Sequence, residues 1–311
     1  MYKNKNIAVV IPAHNEASHI GQVINTMPEF VDCMIVVDDC SRDNTYEAAL
    51  SCGDERVVAL KTPKNSGVGG ATVLGYRKAI EMGSEIIVKM DGDGQMDPAY
   101  LFALLDALVE QGYDYAKGNR FLVGESLSFM PRHRIFGNVV LTFMTKLASG
   151  YWHIFDPQNG YTAIKLESLR ALNLSAIHGR FFFENDMLIH LNFFKYRVKD
   201  VAIPARYGEE KSDLNPLKVG FTFPLLLLRR FFHRVYQKYV LRDFSPIALF
   251  LFLGLALFTW GFLFGVYLYF HTVTTGIATP TGTIMLSLLP LILGFQLILQ
   301  AIVLDIQETP K

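Results

Sequence analysis

Two aspartates one residue apart, Asp91 and Asp93, carry the clearest chemistry in this sequence. They follow the short, mostly apolar and β-branched run 85–90, which predicts a buried strand. Two carboxylates at the exit of a strand can converge on one hard cation, and Mg²⁺ or Mn²⁺ accepts carboxylate oxygens together with substrate phosphates. Gly92 and Gly94 alternate with the aspartates, and Asp-Gly pairs also form plain polar turns, so a turn without a metal is the alternative.

The first two-thirds of the chain alternates predicted strands with predicted helices. Short apolar runs at 7–11, 34–37, 57–61 and 85–90 predict strands, and a further strand begins at Tyr113. This rhythm predicts an α/β fold with a mostly parallel sheet and helices on both faces. Because ligands of such sheets bind beyond the carboxyl ends of the strands, the polar residues that follow each strand are candidate site residues.

An apolar region, residues 244–304, lies near the end of the chain and contains no Asp, Glu, Lys or Arg. It divides into 246–270 and 284–304, which are joined by the polar loop 271–282. At 1.5 Å per residue each half can cross a hydrocarbon core of ~30 Å. The sequence therefore predicts a two-helix transmembrane hairpin, and a pair of buried core helices is the alternative.

A basic segment with interleaved aromatic residues, 221–245, precedes this hairpin. We expect an amphipathic helix in the membrane interface, with Arg229, Arg230 and Arg234 at the lipid surface near the acceptor. The alternative is that these arginines only set the membrane topology.

The distribution of Lys and Arg predicts that topology. The loop 271–282 has neither residue and is expected outside the cell, whereas the domain 1–220 and the tail 305–311 are expected in the cytoplasm. The organisation is then a cytoplasmic catalytic domain at 1–220, an interfacial helix at 221–245, two spans within 246–304 and a short tail. This describes a multi-pass integral membrane protein.

Composition excludes several other classes of protein. The formal net charge is zero, so nothing indicates a nucleic-acid partner. The three cysteines form no CxxC pair, which argues against a zinc site, and their odd number suits a reducing compartment. The apolar run after the first six residues is too short for a signal peptide.

Three motifs occur in a recognisable order at 11–16, 36–45 and 90–93, reading Ile-Pro-Ala-His-Asn-Glu, Val-Val-Asp-Asp-x-Ser-x-Asp-x-Thr and Met-Asp-Gly-Asp. Together they resemble the inverting family 2 glycosyltransferases, which have the GT-A fold. With the two C-terminal spans, the chain is similar to the polyprenol-phosphate branch, which includes the dolichyl-phosphate mannose synthases and bacterial undecaprenyl-phosphate glucosyltransferases.

The resemblance implies a nucleotide-sugar site. The positions that match donor-binding positions of the family are Pro12, His14, Glu16, Val37, Asp39, Asp91, Gly92, Asp93, Gln95, Arg206 and Lys211. Among them Asp91 and Asp93, supported by Gln95, would hold Mg²⁺ or Mn²⁺. For Asp39 helix capping is the alternative role.

Other positions match the acceptor side. The resemblance assigns Arg120 to a phosphate and Asp156 to the acceptor pocket, where Asp156 is an optional base. Arg132 and Arg134 would reach the acceptor phosphate or lipid head groups, and a solvated basic loop is the alternative. The segment 183–186, Phe-Glu-Asn-Asp, resembles a family signature at a helix start, where capping is the alternative for Asp186.

These assignments predict inverting transfer of a hexose from a UDP- or GDP-sugar to undecaprenyl or dolichyl phosphate. The acceptor has a second pKa near ~6, so it is largely ionised and has little need of a base. One alternative is a membrane glycosyltransferase with a hydroxyl acceptor on a lipid or glycan. Another is a membrane-anchored nucleotide-sugar-binding scaffold without turnover. A homo-oligomer is compatible with either reading.

Overall fold

The computed structural model describes residues 1–122, 132–204 and 216–311. It contains two compact units, Met1–Phe231 with Pro310–Lys311, and Phe232–Thr309. The predicted boundary between residues 220 and 221 falls inside the helix Pro216–Val235, which begins in the first unit.

A seven-stranded sheet organises the first unit. Its strands are β1 (Ile7–Ala13), β2 (Cys33–Asp38), β3 (Val57–Lys61), β4 (Ile86–Lys89), β5 (Tyr115–Asn119), β6 (Thr162–Lys165) and β7 (Val198–Ala202). Their order across the sheet is β3-β2-β1-β4-β6-β5-β7. β6 pairs antiparallel with both β4 and β5, and the other described pairs are parallel. The predicted mostly parallel sheet is thus confirmed.

Helices cover both faces of this sheet. In chain order the described α-helices before residue 236 are α1 (Ile20–Asn25), α2 (Thr45–Ser51), α3 (Gly67–Glu81), α4 (Leu101–Val109), α5 (Arg132–Ser149), α6 (Leu166–Ala171), α7 (Phe183–Phe193) and α8 (Pro216–Val235). Among them α2, α3, α4 and α6 contact the strands, whereas α5 and α8 share a separate core with α7. All seven residues of β1 are buried, and alternate ones belong to different cores: Val9 packs in the core that contains Leu104 of α4, and Val10 in the core that contains Tyr76 of α3. A strand buried on both faces reads as a continuous apolar run, and this explains the sequence 7–13.

The second unit contains two long apolar helices, α9 (Pro246–Thr275) and α10 (Thr281–Gln307), which can form the predicted hairpin. They are preceded by the π-helical segment Tyr236–Arg242. Ser245 caps α9 by accepting a hydrogen bond from the backbone N–H of Ile247, and Pro246 stands at its first position, where the missing N–H costs nothing. In the most apolar 18-residue stretch of α9 only 28% is buried, and in that of α10 only 17%. This exposure argues against two buried core helices.

Small residues let α9 and α10 approach closely. A Cβ on Gly261 would lie 2.6 Å from the backbone nitrogen of Leu291, and one on Gly254 would lie 2.9 Å from the carbonyl oxygen of Gly294. Ser287 Oγ donates to the carbonyl oxygen of Gly261 at 2.7 Å. Close backbone approach at small residues is the usual means by which apolar helices associate in lipid.

Candidate active site

The Asp-Gly-Asp sequence follows β4 directly, and its two carboxylates line two cavities. The larger cavity has a volume of about 430 Å³ and is lined by Pro12, Ala13, His14, Glu16, Asp39, Asn65, Gly67, Val68, Ala71, Asp91, Gly92, Asp93, Arg180 and Phe181. The smaller has a volume of about 160 Å³ and is lined by Asp91, Asp93, Gln95, Met96, Arg120, Gln158, Asn159, Gly160, Tyr161, Ile203 and Pro204. Most of the predicted donor residues that the structure describes therefore surround one cavity, and Arg120 lines the other.

His14 and Asp39 form one end of the larger cavity. His14 Nδ1 lies 2.9 Å from the carbonyl oxygen of Asp39, so Nδ1 carries the proton and Nε2 accepts from Asn65 Nδ2 at 3.3 Å. The Asp39 carboxylate accepts from the backbone N–H groups of Ser66 at 2.9 Å and of Gly67 at 2.7 Å. It therefore caps the start of α3, as the alternative held, and both of its oxygens already have donors.

Val37 does not line the larger cavity, contrary to the prediction. Its side chain is fully buried in the core on the α3 side of the sheet. A Cβ on Gly75 of α3 would lie 3.2 Å from Val37 Cγ2. Val37 therefore packs β2 against α3.

Lys89, the last residue of β4, is fully buried and holds Asp91. Its Nζ lies 2.7 Å from Asp91 Oδ1 and 3.1 Å from Oε1 of Glu184 on α7. Burial opposes the charged ammonium, but the carboxylates of Asp91 and Glu184 outweigh it and raise the pKa of Lys89 above its ordinary value. Burial also raises the pKa of Glu184, with Lys89 acting against it. Lys89 is therefore a fixed cation behind Asp91.

Asp91 and Asp93 suit a divalent cation that also binds a diphosphate. The described residues contain no group of three or more His, Cys, Asp or Glu that could form a complete protein cage. Mg²⁺ typically uses one or two carboxylates together with substrate phosphates and water, and this pair supplies that number. Gln95 donates its backbone N–H to Asp93 Oδ1 at 2.9 Å, so part of the predicted support comes from its main chain. A Cβ on Gly160 would lie 2.8 Å from Asp91 Oδ2, so only glycine leaves this oxygen accessible.

Arg120 and Asp156 form a two-point ion pair beside the smaller cavity. Arg120 Nε and Nη2 donate to the two oxygens of Asp156 at 2.7 and 2.8 Å. Burial would raise the pKa of the Asp156 carboxyl, but the Arg120 guanidinium outweighs burial and lowers that pKa below its ordinary value. A carboxylate held in this way is a weak base, so the geometry favours a role for Asp156 in positioning Arg120.

The comparisons with known proteins agree with this geometry. A family model described as glycosyl transferase family 2 matches residues 8–172, more than half of the chain. The chain belongs to glycosyl transferase family 2. It is therefore a glycosyltransferase, as predicted.

Relatives within family 2 carry related names. The UDP-N-acetylglucosamine–dolichyl-phosphate N-acetylglucosaminyltransferase of Methanococcus voltae is 32% identical over 244 residues, which cover 73% of this chain and 97% of that one. The undecaprenyl-phosphate mannosyltransferase of Micrococcus luteus is 29% identical, with 67% and 87% covered. Polyprenol monophosphomannose synthase of Mycolicibacterium smegmatis is 31% identical, with 55% and 66% covered.

The fold of this family 2 chain is also that of a solved structure. Glucosyl-3-phosphoglycerate synthase from Mycobacterium tuberculosis, crystallised with Mn²⁺, UDP and glucosyl-3-phosphoglycerate, matches with a TM-score of 0.53. The match has 21% identity and covers 74% of this chain and 80% of that one. The likeness supports the GT-A-like architecture predicted from the family 2 motifs.

Two of the predicted basic residues pair with carboxylates instead of facing lipid. Arg230 Nη2 lies 2.6 Å from Oδ2 of Asp186, which is buried in α7. Arg234 is fully buried and lies 2.7 Å from Oδ1 of Asp305. The prediction that these two arginines face the lipid surface was therefore wrong, because helical periodicity turns them toward buried acids. Arg229 is exposed and keeps its predicted position at a surface.

Other predicted residues lie where the structure gives no side-chain position. Arg206 and Lys211 fall within 205–215, outside the described residues. Arg132 and Arg134 begin α5, but their side chains are outside the described part. Their assignments stay predictions from the family 2 resemblance.

Sequence reasoning missed the roles of Lys89 and Arg180 and left Glu184 without a partner. A lysine at the end of an otherwise apolar strand, immediately before two aspartates, was the available signal for Lys89. The contact between Lys89 and Glu184 joins residues 95 positions apart, and no local pattern indicates it. Arg180 has no motif of its own and enters the larger cavity only through the fold.

Proposed function

We propose that this chain transfers a hexose from a UDP- or GDP-linked donor to a polyprenyl phosphate, with inversion at the anomeric carbon. The observation that carries the proposal is that two cavities of unequal size open onto the same Asp91–Asp93 pair. The larger has room for a nucleotide sugar. The smaller, lined by Arg120, suits the phosphate of an acceptor.

The side chains around the Asp91–Asp93 pair, where the two cavities meet, have separate roles in this proposal. Asp91 and Asp93 would hold Mg²⁺ or Mn²⁺, which when bound neutralises charge that develops on the departing nucleotide. Lys89 fixes the orientation of Asp91 through the 2.7 Å contact. Asp156 fixes the Arg120 guanidinium, which orients the acceptor phosphate for attack on the side opposite the leaving diphosphate.

A phosphate acceptor fits the protonation chemistry of the site. A phosphate monoester with a pKa near ~6 is already a nucleophile at neutral pH. A hydroxyl acceptor would need a base, and Asp156 is engaged by Arg120. The described carboxylates that line the smaller cavity are Asp91 and Asp93, which the metal would use. These facts favour an ionised acceptor.

The apolar C-terminal helices support a lipid-borne acceptor. We propose that α9 and α10 span the membrane, with the catalytic unit and both chain termini on the cytoplasmic side. The named relatives act on dolichyl, undecaprenyl or polyprenol carriers according to their names. An enzyme anchored in this way meets the phosphate of such a carrier at the membrane surface.

One assay tests the proposal. The full-length protein in nanodiscs is incubated with Mg²⁺, a panel of UDP- and GDP-sugars, and undecaprenyl or dolichyl phosphate, and the lipids are read by mass spectrometry. We expect one hexosyl-phosphoryl-polyprenol product, absent with Asp91→Asn. Transfer only to lipid or glycan hydroxyls would replace the acceptor assignment. Donor binding without turnover on any acceptor would make the protein a scaffold.

A further inference from the structure

The larger cavity is rich in negative charge. The acidic side chains that line it are Glu16, Asp39, Asp91 and Asp93, whereas Arg180 is the one Lys or Arg among its described lining residues. A nucleotide diphosphate is itself an anion, so it enters this cavity only if cations offset both charges. A divalent cation held by Asp91 and Asp93 would supply part of that positive charge, and Arg180 is the cationic side chain among the described lining residues that can supply more.

The chain holds Arg180 against the start of α3. The carbonyl oxygen of Gly179 accepts from the backbone N–H of Gly70 at 2.8 Å. A Cβ on Gly67 would lie 2.8 Å from Arg180 Cγ, and Gly67 has a φ of +80°. Glycine is thus needed at position 67 for both backbone conformation and the close approach of the arginine stem. The start of α3 therefore packs against the loop that carries Arg180.

The same loop is fixed on its other side. His178 donates its backbone N–H to Asp186 Oδ2 at 2.8 Å, and Phe182 and Phe183 are buried. Arg180, in contrast, is exposed, and Phe181 is 50% exposed. The loop is therefore anchored at both ends while these two side chains face the cavity.

Arg180 differs from the arginines of this protein that form internal ion pairs. Arg120, Arg230 and Arg234 each lie within 2.7 Å of a buried carboxylate. Within 1–122, 132–204 and 216–311, no ion pair joins Arg180 to a carboxylate. An arginine that lines an acidic cavity without an internal ion pair has a guanidinium that can take an anionic ligand.

We propose that Arg180 binds the diphosphate of the nucleotide-sugar donor. This assignment rests on the proposed function, because it requires a nucleoside diphosphate in the larger cavity. The planar guanidinium can donate two parallel N–H bonds to phosphate oxygens, which an ammonium group cannot reproduce. Arg180 is therefore a donor-binding residue supplied by the segment between β6 and α7.

The test compares nucleotides that differ only in the second phosphate. Binding of UDP, UMP, GDP and GMP to the full-length protein in nanodiscs with Mg²⁺ is measured by calorimetry. In Arg180→Gln we expect the affinity for the diphosphate that the wild type binds to fall about tenfold or more, consistent with loss of a hydrogen bond to a charged group. The affinity for the matching monophosphate should change less than about twofold, and Arg180→Lys should lie between.

Arg77→Gln is the matched control, because Arg77 lies on α3 and donates to Ser175 Oγ at 2.8 Å outside the cavity. It should leave both affinities unchanged, and thermal unfolding checks that each variant is folded. Equal losses for the diphosphate and monophosphate, or no loss, would overturn the assignment of Arg180. If the wild type binds neither UDP nor GDP, the proposed function itself fails, together with this inference.

Discussion

Nζ of Lys89 lies 2.7 Å from Oδ1 of Asp91, so the last residue of the central strand forms an ion pair with the first aspartate of the Asp-Gly-Asp sequence. The same ammonium reaches Glu184 on α7 at 3.1 Å. The orientation of one of the two paired aspartates thus depends on a helix that begins more than ninety residues later. This relationship leads to the first prediction.

Lys89→Met should destabilise the fold and lower activity. The variant leaves Glu184 buried without its cation, and breaking a buried pair typically costs about 3–5 kcal/mol. Thermal unfolding of the full-length protein in detergent measures the loss. Adding Glu184→Gln should restore much of the stability but not the activity, because Asp91 still lacks its partner. If Lys89→Met alone unfolds at the same temperature as the wild type, the stabilising pair between Lys89 and Glu184 is contradicted. Lys165→Met is the matched control, since Lys165 lies 3.8 Å from Asp114 in a partly exposed pair.

Asp91→Asn and Asp93→Asn should each lower the transfer rate by at least ~10²-fold, as loss of a key electrostatic group does. EDTA should abolish transfer, and Mg²⁺ or Mn²⁺ should restore it. Asp97→Asn provides the control, because Asp97 accepts from the backbone N–H of Ala99 and caps a short helix nearby. Its effect should be limited to about 1 kcal/mol of stability. Full activity in EDTA would exclude the metal.

Asp156→Asn tests whether this carboxylate is a base. We expect a lower kcat through misplaced Arg120, with donor affinity retained and no change in the pH dependence of the rate near neutrality. The pH dependence of stability gives a second measurement. Arg120 lowers the folded-state pKa of Asp156, so the ion pair stabilises the fold above the unfolded pKa of ~3.9 and this stabilisation is lost as pH falls through the lower folded value. The stability difference between wild type and variant, about 1–3 kcal/mol at pH 7, should therefore shrink below about pH 4.

Cysteine labelling tests the membrane topology. In a background that lacks Cys33, Cys40 and Cys52, a cysteine at Thr275 should react with an impermeant reagent added to intact cells. A cysteine at Gln307 should react only after permeabilisation, because the two positions end successive helices that we propose to span the membrane. The reverse pattern would place the catalytic unit outside. Labelling of both positions in intact cells would mean that the helices do not span the membrane.

The arginines of α8 should separate into two groups. Arg229→Gln should raise the KM for the lipid acceptor in anionic liposomes, since a surface charge near such a membrane contributes roughly 1 kcal/mol. Arg234→Gln should instead lower stability by about 3–5 kcal/mol, because the buried carboxylate of Asp305 loses the guanidinium that offsets its charge. Exchanging the charges, with Arg234→Asp and Asp305→Arg together, should recover part of that loss. If the KM for the lipid acceptor changes neither in Arg229→Gln nor with the anionic lipid content, the docking role is ruled out.

The elements that the sequence predicted well are those with a strong local signal. Strands 7–11 and 34–37 were identified because both faces are buried. The structure extends the first at its C-terminal end, to Ile7–Ala13, and the second at both ends, to Cys33–Asp38. The strand β6, Thr162–Lys165, was missed because four residues are too few to show the alternating pattern of a strand. Its antiparallel pairing between β4 and β5 depends on residues far apart in the chain.

The residues of the candidate site also differ in whether a local sequence signal indicates them. Asp91 and Asp93 were identified from type and spacing, and the structure places both between the two cavities. The burial of Arg234 could not be read from a basic amphipathic pattern, because its partner Asp305 lies 71 residues later. Local patterns reveal which residues carry charge, whereas the partners of that charge are set by tertiary packing.

The C-terminal unit, Phe232–Thr309, has one more consequence. Both partners of the buried ion pair between Arg234 and Asp305 belong to it, and its helices meet through its own glycines and Ser287. Because the helices of this unit pack against each other, we expect that gene fusion can move the segment as an anchoring cassette. Fused behind a water-soluble reporter, it should carry that reporter to the bilayer, which would make membrane attachment a trait that such enzymes can gain or exchange independently of their chemistry.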